Sequence, residues 1–288
     1  MVVLVTGANG QLGQAIRSIV ENFPSIDFVF CASSDLDITN LDNCELVFKK
    51  HQPDFCINTA AYTAVDKAET ELEKAHLINI IGSENLAKVC KNQNTILLHV
   101  STDFVFDGSS DIPYIETNIP NPTGVYGKTK LAGEVAIQNI WNKHFIIRTS
   151  WVYSQFGNNF MKTMLRLGNE RNELSVVNDQ IGTPTNAVDL AEVLIKIILS
   201  PITQNPKPNT FGVYNFSNEG QCSWYDFAKE IFTLNKVQIN LKPIPTEAYP
   251  TPAKRPKYSV LDKTKITTTF GITIKTWKES LNNCIQTL

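Results

Sequence analysis

Tyr126 and Lys130 stand four residues apart in Tyr126-Gly127-Lys128-Thr129-Lys130, a spacing that puts both on one face of a helix. A free tyrosine, with a pKa of about 10, exchanges protons poorly near neutrality. An ammonium beside it favours the phenolate and brings proton transfer towards the working pH. The same ammonium can hold the ribose hydroxyls of a dinucleotide. YxxxK alone is common on solvated helices, so its weight depends on what accompanies it. Ser101-Thr102-Asp103 follows an apolar run that reads as a strand. Ligands gather at the carboxyl ends of parallel strands, which places Thr102 to donate a hydrogen bond to a substrate oxygen. Asp103 would contact substrate or fix the loop, and Ser101 would help the turn. The plainer reading makes all three a strand cap.

The accompanying signal is Thr6-Gly7-Ala8-Asn9-Gly10-Gln11-Leu12-Gly13, between an apolar run and a helix-like segment. Its glycines follow GxxGxxG spacing. Gly7, Gly10 and Gly13 let backbone approach a pyrophosphate closely, with helix-terminal N–H groups facing it. Asn9 can brace the turn or touch phosphate. The glycine loop itself does not end in GKS or GKT, which argues against a P-loop nucleotidase. After the second apolar run, Cys31-Ala32-Ser33-Ser34 offers neither an acid for two ribose hydroxyls nor an arginine for a ribose phosphate. Either NADH or NADPH is therefore expected. Asp35 and Asp37 follow, and an acidic pair pointing into the site would tilt the choice towards NADH.

These groups need a scaffold. Val2–Val5, Ile26–Cys31, Phe55–Thr59, Ile96–Ser101 and Phe145–Thr149 read as strands, and Gln11–Val20, Asn40–His51, Glu71–Cys90 and Gly127–Trp141 as helices. Continuous apolar strands alternating with helices predict a parallel sheet covered on both faces. Beyond Ser150 the pattern predicts helices at Phe160–Asn169, Val188–Leu199, Trp224–Leu234 and Lys275–Ile285, and strands at Leu174–Val177 and Val213–Phe216. Ser200–Asn209 reads as a polar loop and Pro243–Pro256 as a proline-rich passage. The expected division is 1–150, mainly dinucleotide binding, and 151–288, mainly a smaller substrate lobe with some segments returning to the first domain.

Lys and Arg number 26 against 28 Asp and Glu, a net charge of −2 that supplies no polycation for nucleic acid or an anionic membrane. No apolar stretch reaches membrane-spanning length and no signal peptide is apparent, so a cytoplasmic protein is expected. The six cysteines are widely spaced with no CxxC pair and read as buried free thiols. His51 and His144 fall in surface-like segments, and His76 and His99 in apolar patterns. None has zinc spacing. Asp66-Lys67-Ala68-Glu69 looks like a helix start near the site.

Taken in order, several blocks resemble the extended short-chain dehydrogenase/reductase family, and within it the reductases of thymidine-diphosphate-linked 4-keto sugars. They are the glycine loop, Asn58 to Glu69, Ser101 to Gly108, Tyr126 to Glu134, Arg148 to Tyr153, Asn178 to Thr185 and Pro250 to Pro256. The resemblance spans essentially the whole chain. It implies a Rossmann-type doubly wound sheet with a smaller C-terminal substrate-binding lobe. It makes Tyr126 the proton donor, Lys130 its partner and Thr102 the third catalytic group. It also implies cofactor contacts at Gln11, Leu12, Asp37, Ile38, Ala60, Ala61 and Tyr62, and substrate contacts at Trp151, Gln180, Thr185 and Arg255. An indole can cover a sugar or base face, and a guanidinium can offer a phosphate several fixed donors. Packing between the lobes is the other reading of Trp151.

The implied reaction is hydride transfer from NADH or NADPH to the C4 ketone of a thymidine-diphosphate-linked 6-deoxy-L-hexulose, giving the linked L-rhamnose. Two alternatives stand beside it. One is an epimerase or dehydratase, although Thr102-Asp103-Phe104 lacks the Asp-Glu pair of a dehydratase. The other is a cofactor-binding subunit like the one that regulates methionine adenosyltransferase. The resemblance further implies a homodimer with magnesium held near the C terminus. The tail Asn282-Asn283-Cys284-Ile285-Gln286-Thr287-Leu288 lacks an acid there, so no metal site is expected and monomer or homodimer stays open.

Overall fold

The structure, a computed structural model, describes residues 1–207 and 209–288. β1 (Val2–Thr6) leads through α1 (Gln11–Arg17), β2 (Asp27–Cys31) and α2 (Leu41–His51) to β3 (Phe55–Asn58). Then come α3 (Val65–Ala68), α4 (Leu72–His76), α5 (Gly82–Gln93), β4 (Ile96–Thr102), α6 (Val125–Ile140) and β5 (His144–Thr149). The rest contains β6 (Val152–Tyr153), α7 (Phe160–Glu170), β7 (Glu173–Val177), β8 (Ile181–Gly182), β9 (Thr185–Asn186), α8 (Ala187–Leu199) and α9 (Pro201–Gln204). It ends with β10 (Gly212–Asn215), β11 (Cys222–Ser223), α10 (Trp224–Leu234), β12 (Asn240–Ile244), α11 (Thr264–Phe270) and α12 (Trp277–Ile285).

Six strands form one sheet in the order β10-β5-β4-β3-β1-β2, every pairing parallel. The apolar runs do not alternate with polar residues because both faces are covered. Val3, Val5, Ile57, Phe145 and Ile147 pack with Leu190, Leu194 and Ile198 of α8 on one side. Leu4, Cys56, Leu97 and Ile146 pack with Phe48 of α2 and Leu86 of α5 on the other. The chain reverses its direction of progress between β1 and β3, so a crevice opens beyond their carboxyl ends. Although α8 and β10 lie beyond residue 150, they belong to this sheet layer. A second core, including Tyr153, Met161, Phe227, Ile231, Trp277 and Leu281, joins α7, α10 and α12.

Capping residues set several helix boundaries. The Asn40 side chain accepts from Asn43 N–H to start α2, and Ser223 with Asp226 and Thr276 with Glu279 form capping boxes on α10 and α12. The helix expected over Glu71–Cys90 is instead interrupted by a π-helical turn at Leu77–Ile81. Asn79 in that turn exchanges hydrogen bonds with the Tyr62 backbone and donates to Thr129 Oγ1, tying the site's third loop to α6. Ser200–Asn209 is not all loop: Ser200 caps Ile202, Pro201 opens α9, and Pro208 lies outside the described residues. Within the proline-rich passage, Pro243 sits in β12, opposite Val176 of β7, in a two-stranded ladder with room for a residue lacking N–H. His144, expected at the surface, is buried, whereas His76, expected in packing, is exposed. All six cysteines are free and buried. Among the described residues no helix is long and apolar enough to cross a membrane.

Candidate active site

Gly7 has φ +63, and a Cβ there would come within 2.7 Å of Ala60 N. The loops after β1 and β3 therefore meet backbone to backbone at the crevice, which needs glycine. A Cβ on Gly13 would stand 2.6 Å from the Gly7 carbonyl oxygen, so α1 lies directly against the turn. The first turn of α1 has no side-chain cap and no acid. A cradle of backbone with no side chain filling it fits a pyrophosphate. Asn9 is exposed, and its carbonyl accepts from Gln14 Nε2. Gln11 reaches across to the other lobe: its Nε2 donates to Val152 O at 3.1 Å and its Oε1 accepts from Asn159 Nδ2 at 2.7 Å. The Leu12 and Ile38 side chains are buried in the two cores, which leaves their backbone as the part able to meet a cofactor. Asp37 is exposed and its Oδ1 is taken by the Thr39 backbone and hydroxyl. Ala60 and Ala61 are partly exposed, while the buried Tyr62 donates its phenol hydrogen to Glu71.

Gly127 lets α6 touch the turn after β4, since a Cβ there would lie 2.2 Å from Phe104 O. That contact brings Tyr126 beside Thr102. The Thr102 hydroxyl donates to Asp103 Oδ1 at 3.0 Å and accepts from Phe104 N–H. Burial pushes the Tyr126 phenol up to about 12, with the neighbouring Thr102 hydroxyl opposing the rise and Asp103 adding to it. Lys130 Nζ donates to Val100 O at 2.8 Å and lies 3.2 Å from His99 Nε2. Burial lowers it to about 8, against the charge of Glu134. The sequence expectation was an ammonium pulling Tyr126 down. The phenol is instead held protonated, because burial dominates and the contacts of Lys130 lie elsewhere.

Asp103 is buried, and burial raises it from 3.8 to about 6 against the opposing influence of the Ser259 and Thr102 hydroxyls. A carboxyl that binds its proton more tightly when folded makes stability fall as pH rises from about 4 to about 6, by up to about 3 kcal/mol. Asp103→Asn should flatten that fall, and urea unfolding of both proteins across this range checks it.

The expected substrate residues come from the smaller lobe. Trp151, at φ +47, stacks on Trp224 with centroids 3.5 Å apart, so one indole face is covered by protein. Gly182 makes room for the ring: its Cβ would be 2.6 Å from Trp151 Cε2. Gln180 is buried and donates to Thr246 Oγ1, and Thr185 is fully buried against Thr149. Arg255 forms a two-point pair with Asp66, at 2.8 and 2.7 Å, and holds that carboxyl below the usual carboxylate range. A segment near the C terminus is thus clasped to α3, the short helix that follows the loop after β3.

Several neighbours were given no part in the site from sequence, His99 being read there as packing and Ser101 as part of the turn. His99 and Asn58 lie behind Lys130 and are buried. Glu134 and Arg148, also buried, pair at 2.7 Å, and Ser101 donates to Glu134 at 2.5 Å. A charged residue within an apolar strand, such as Arg148, signals a buried partner. The chain does not name which acid supplies it. Among the described residues no three His, Cys, Asp or Glu side chains gather as metal ligands.

The parallel sheet, glycine turn and Thr-Tyr-Lys cluster define an extended short-chain dehydrogenase/reductase. A family model described as the RmlD substrate binding domain matches residues 1–288. A dTDP-4-dehydrorhamnose reductase of Aggregatibacter actinomycetemcomitans is 43% identical over 287 residues, covering 98% of this chain and 97% of its own. The crystal structure of a dTDP-4-dehydrorhamnose reductase from Clostridium acetobutylicum aligns with a TM-score of 0.94 at 43% identity, covering 100% of this chain and 99% of that one. That from Bacillus anthracis, in complex with NADP, aligns at 0.93 and 40% identity over 100% and 99%. The chain belongs to the RmlD family, that of the dTDP-4-dehydrorhamnose reductases.

Proposed function

We propose that this protein reduces the C4 ketone of dTDP-4-dehydro-β-L-rhamnose to dTDP-β-L-rhamnose with NADH or NADPH, in nucleotide-sugar biosynthesis. The observation that carries the reading is Tyr126 beside Thr102 at the carboxyl end of β4, with Lys130 one helical turn on, in a chain matched end to end by the reductase family. The bound nicotinamide supplies the hydride. The backbone at Gly7, Gly10 and Gly13 would hold the pyrophosphate, with the loops at Asp37–Ile38 and Ala60–Tyr62 flanking the nucleotide. Thr102 would turn its hydroxyl from Asp103 to the substrate oxygen, and Tyr126 would give that oxygen its proton. Lys130 would hold the ribose hydroxyls and compensate the phenolate left behind. Residues 1–150 mainly carry cofactor and 151–288 mainly substrate in this reading. The free buried thiols suit a reducing compartment, and we place the reaction in the cytoplasm.

A stoichiometric assay tests it: authentic 4-keto nucleotide-sugar should oxidise one equivalent of reduced cofactor and yield the rhamnosyl nucleotide. Folded protein that oxidises no cofactor with that substrate would refute the reading. Arg255 is the proposed diphosphate contact, poised on Asp66. Arg255→Lys keeps the charge but loses the planar fork, so KM for the nucleotide-sugar should rise about tenfold with cofactor affinity little changed. Unchanged substrate binding in the folded variant would sink the clamp.

A further inference from the structure

Behind Lys130 lies a buried chain of polar groups that no step above uses. Thr6 Oγ1 donates to Asn58 Oδ1 at 2.6 Å, and Ala60 N–H donates to the same oxygen at 3.1 Å. Backbone N–H can only donate, so the Asn58 amide orientation is determined: oxygen towards Ala60, Nδ2 towards His99. Nδ2 lies 2.9 Å from His99 Nδ1, which must therefore accept. His99 is buried, and burial, reinforced by the Lys130 and His144 charges, holds its pKa well below the ordinary value. A neutral imidazole accepting at Nδ1 carries its proton on Nε2. That N–H faces Lys130 Nζ at 3.2 Å.

An amine at Nζ has a lone pair for this N–H and a hydrogen for Val100 O. An ammonium has no lone pair and meets the imidazole N–H donor to donor. We propose that His99 is a positioning residue for the reaction: held by Asn58 as the Nε2–H tautomer, it weakens the preference of Lys130 for ammonium over amine, so that the lysine can release its proton. This rests on the reading of Lys130 as the partner of Tyr126. Other charges bear on the pair. Glu134 on α6 favours the ammonium but is itself paired with Arg148 of β5, and His144 of β5 disfavours charge on His99. Tyr126 is the titratable group one turn away on the same face of α6. The consequence is a lysine that exchanges its proton near neutrality, at about 8, where a solvated one would stay charged.

The test uses resting protein, without substrate or cofactor, labelled with 15N at histidine and lysine. His99 should show its proton on Nε2, and Lys130 Nζ should titrate at about 8. In His99→Gln the amide can turn its oxygen to Nζ, so the Lys130 midpoint should rise by about one pH unit or more. The alkaline limb of kcat/KM should move up with it. A proton on Nδ1 of wild-type His99, or an unmoved Lys130 midpoint in folded His99→Gln, overturns the proposal. The wild-type tautomer decides the matter even where His99→Gln does not fold. These resonances are read without turnover, so they fail separately from the reductase reading, which fails on absent product.

Discussion

Tyr126→Phe should lower turnover by roughly 10²–10⁴-fold while leaving cofactor affinity nearly intact. Negative charge builds on the substrate oxygen as hydride arrives at carbon, and the phenol beside Thr102 is the acid we propose neutralises it. Phenylalanine keeps the ring that packs edge-on against Phe104, at 5.5 Å between centroids, but has no proton to give. The raised phenol pKa, about 12, keeps the donor loaded through the neutral range, the state a reduction needs before hydride transfer. Lys130→Ala should damage both turnover and cofactor binding, because it would remove the proposed ribose contact as well as the charge. Turnover and cofactor titration measured in parallel separate the two roles. Near-normal turnover in Tyr126→Phe would remove the tyrosine from its role even with the reductase assignment intact.

The largest stability effect is expected at Glu134. Its carboxylate takes Arg148 Nη2 at 2.7 Å and Nε at 3.0 Å, and neither side chain reaches solvent. Glu134→Gln leaves the guanidinium buried without its counter-charge and should cost about 3–5 kcal/mol. The double variant Glu134→Leu/Arg148→Met should recover much of that loss, because an apolar pair of similar volume carries no desolvation penalty. Chemical unfolding of the single and double variants measures both. Ser101, which donates to Glu134, stands next to Thr102, so the pair also anchors the strand end that carries this threonine. A single variant losing less than about 1 kcal/mol would show the pair to be solvated or dispensable.

Much of this molecule can be read from local pattern. A buried parallel strand must be apolar on both faces, so β1, β3, β4 and β5 stand out as runs within a residue or two of their ends. The glycine turn is equally legible, since only glycine takes φ +63 against the Ala60 backbone at no cost. YxxxK is visible because helix geometry fixes which residues share a face. The capping residues of α2, α10 and α12 are local in the same way, with donor and acceptor at most three positions apart.

What the chain alone could not decide was which distant groups meet. In the π turn at Leu77–Ile81, Asn79 meets Tyr62 and Thr129, partners 17 and 50 residues away. Arg255 meets Asp66 across 189 residues, and Trp151 gains Trp224 as a stacking partner from another helix. Lys130 was placed beside Tyr126 by spacing, but its amine is turned to His99 and Val100 by the packing of α6 on β4. Sequence thus determined the residue types, their local backbone and the face each presents, because propensity and periodicity act over a few residues. Only tertiary structure decided burial and partners, and with them the protonation of Tyr126, Lys130, Asp103 and His99, because desolvation depends on everything that packs around a group.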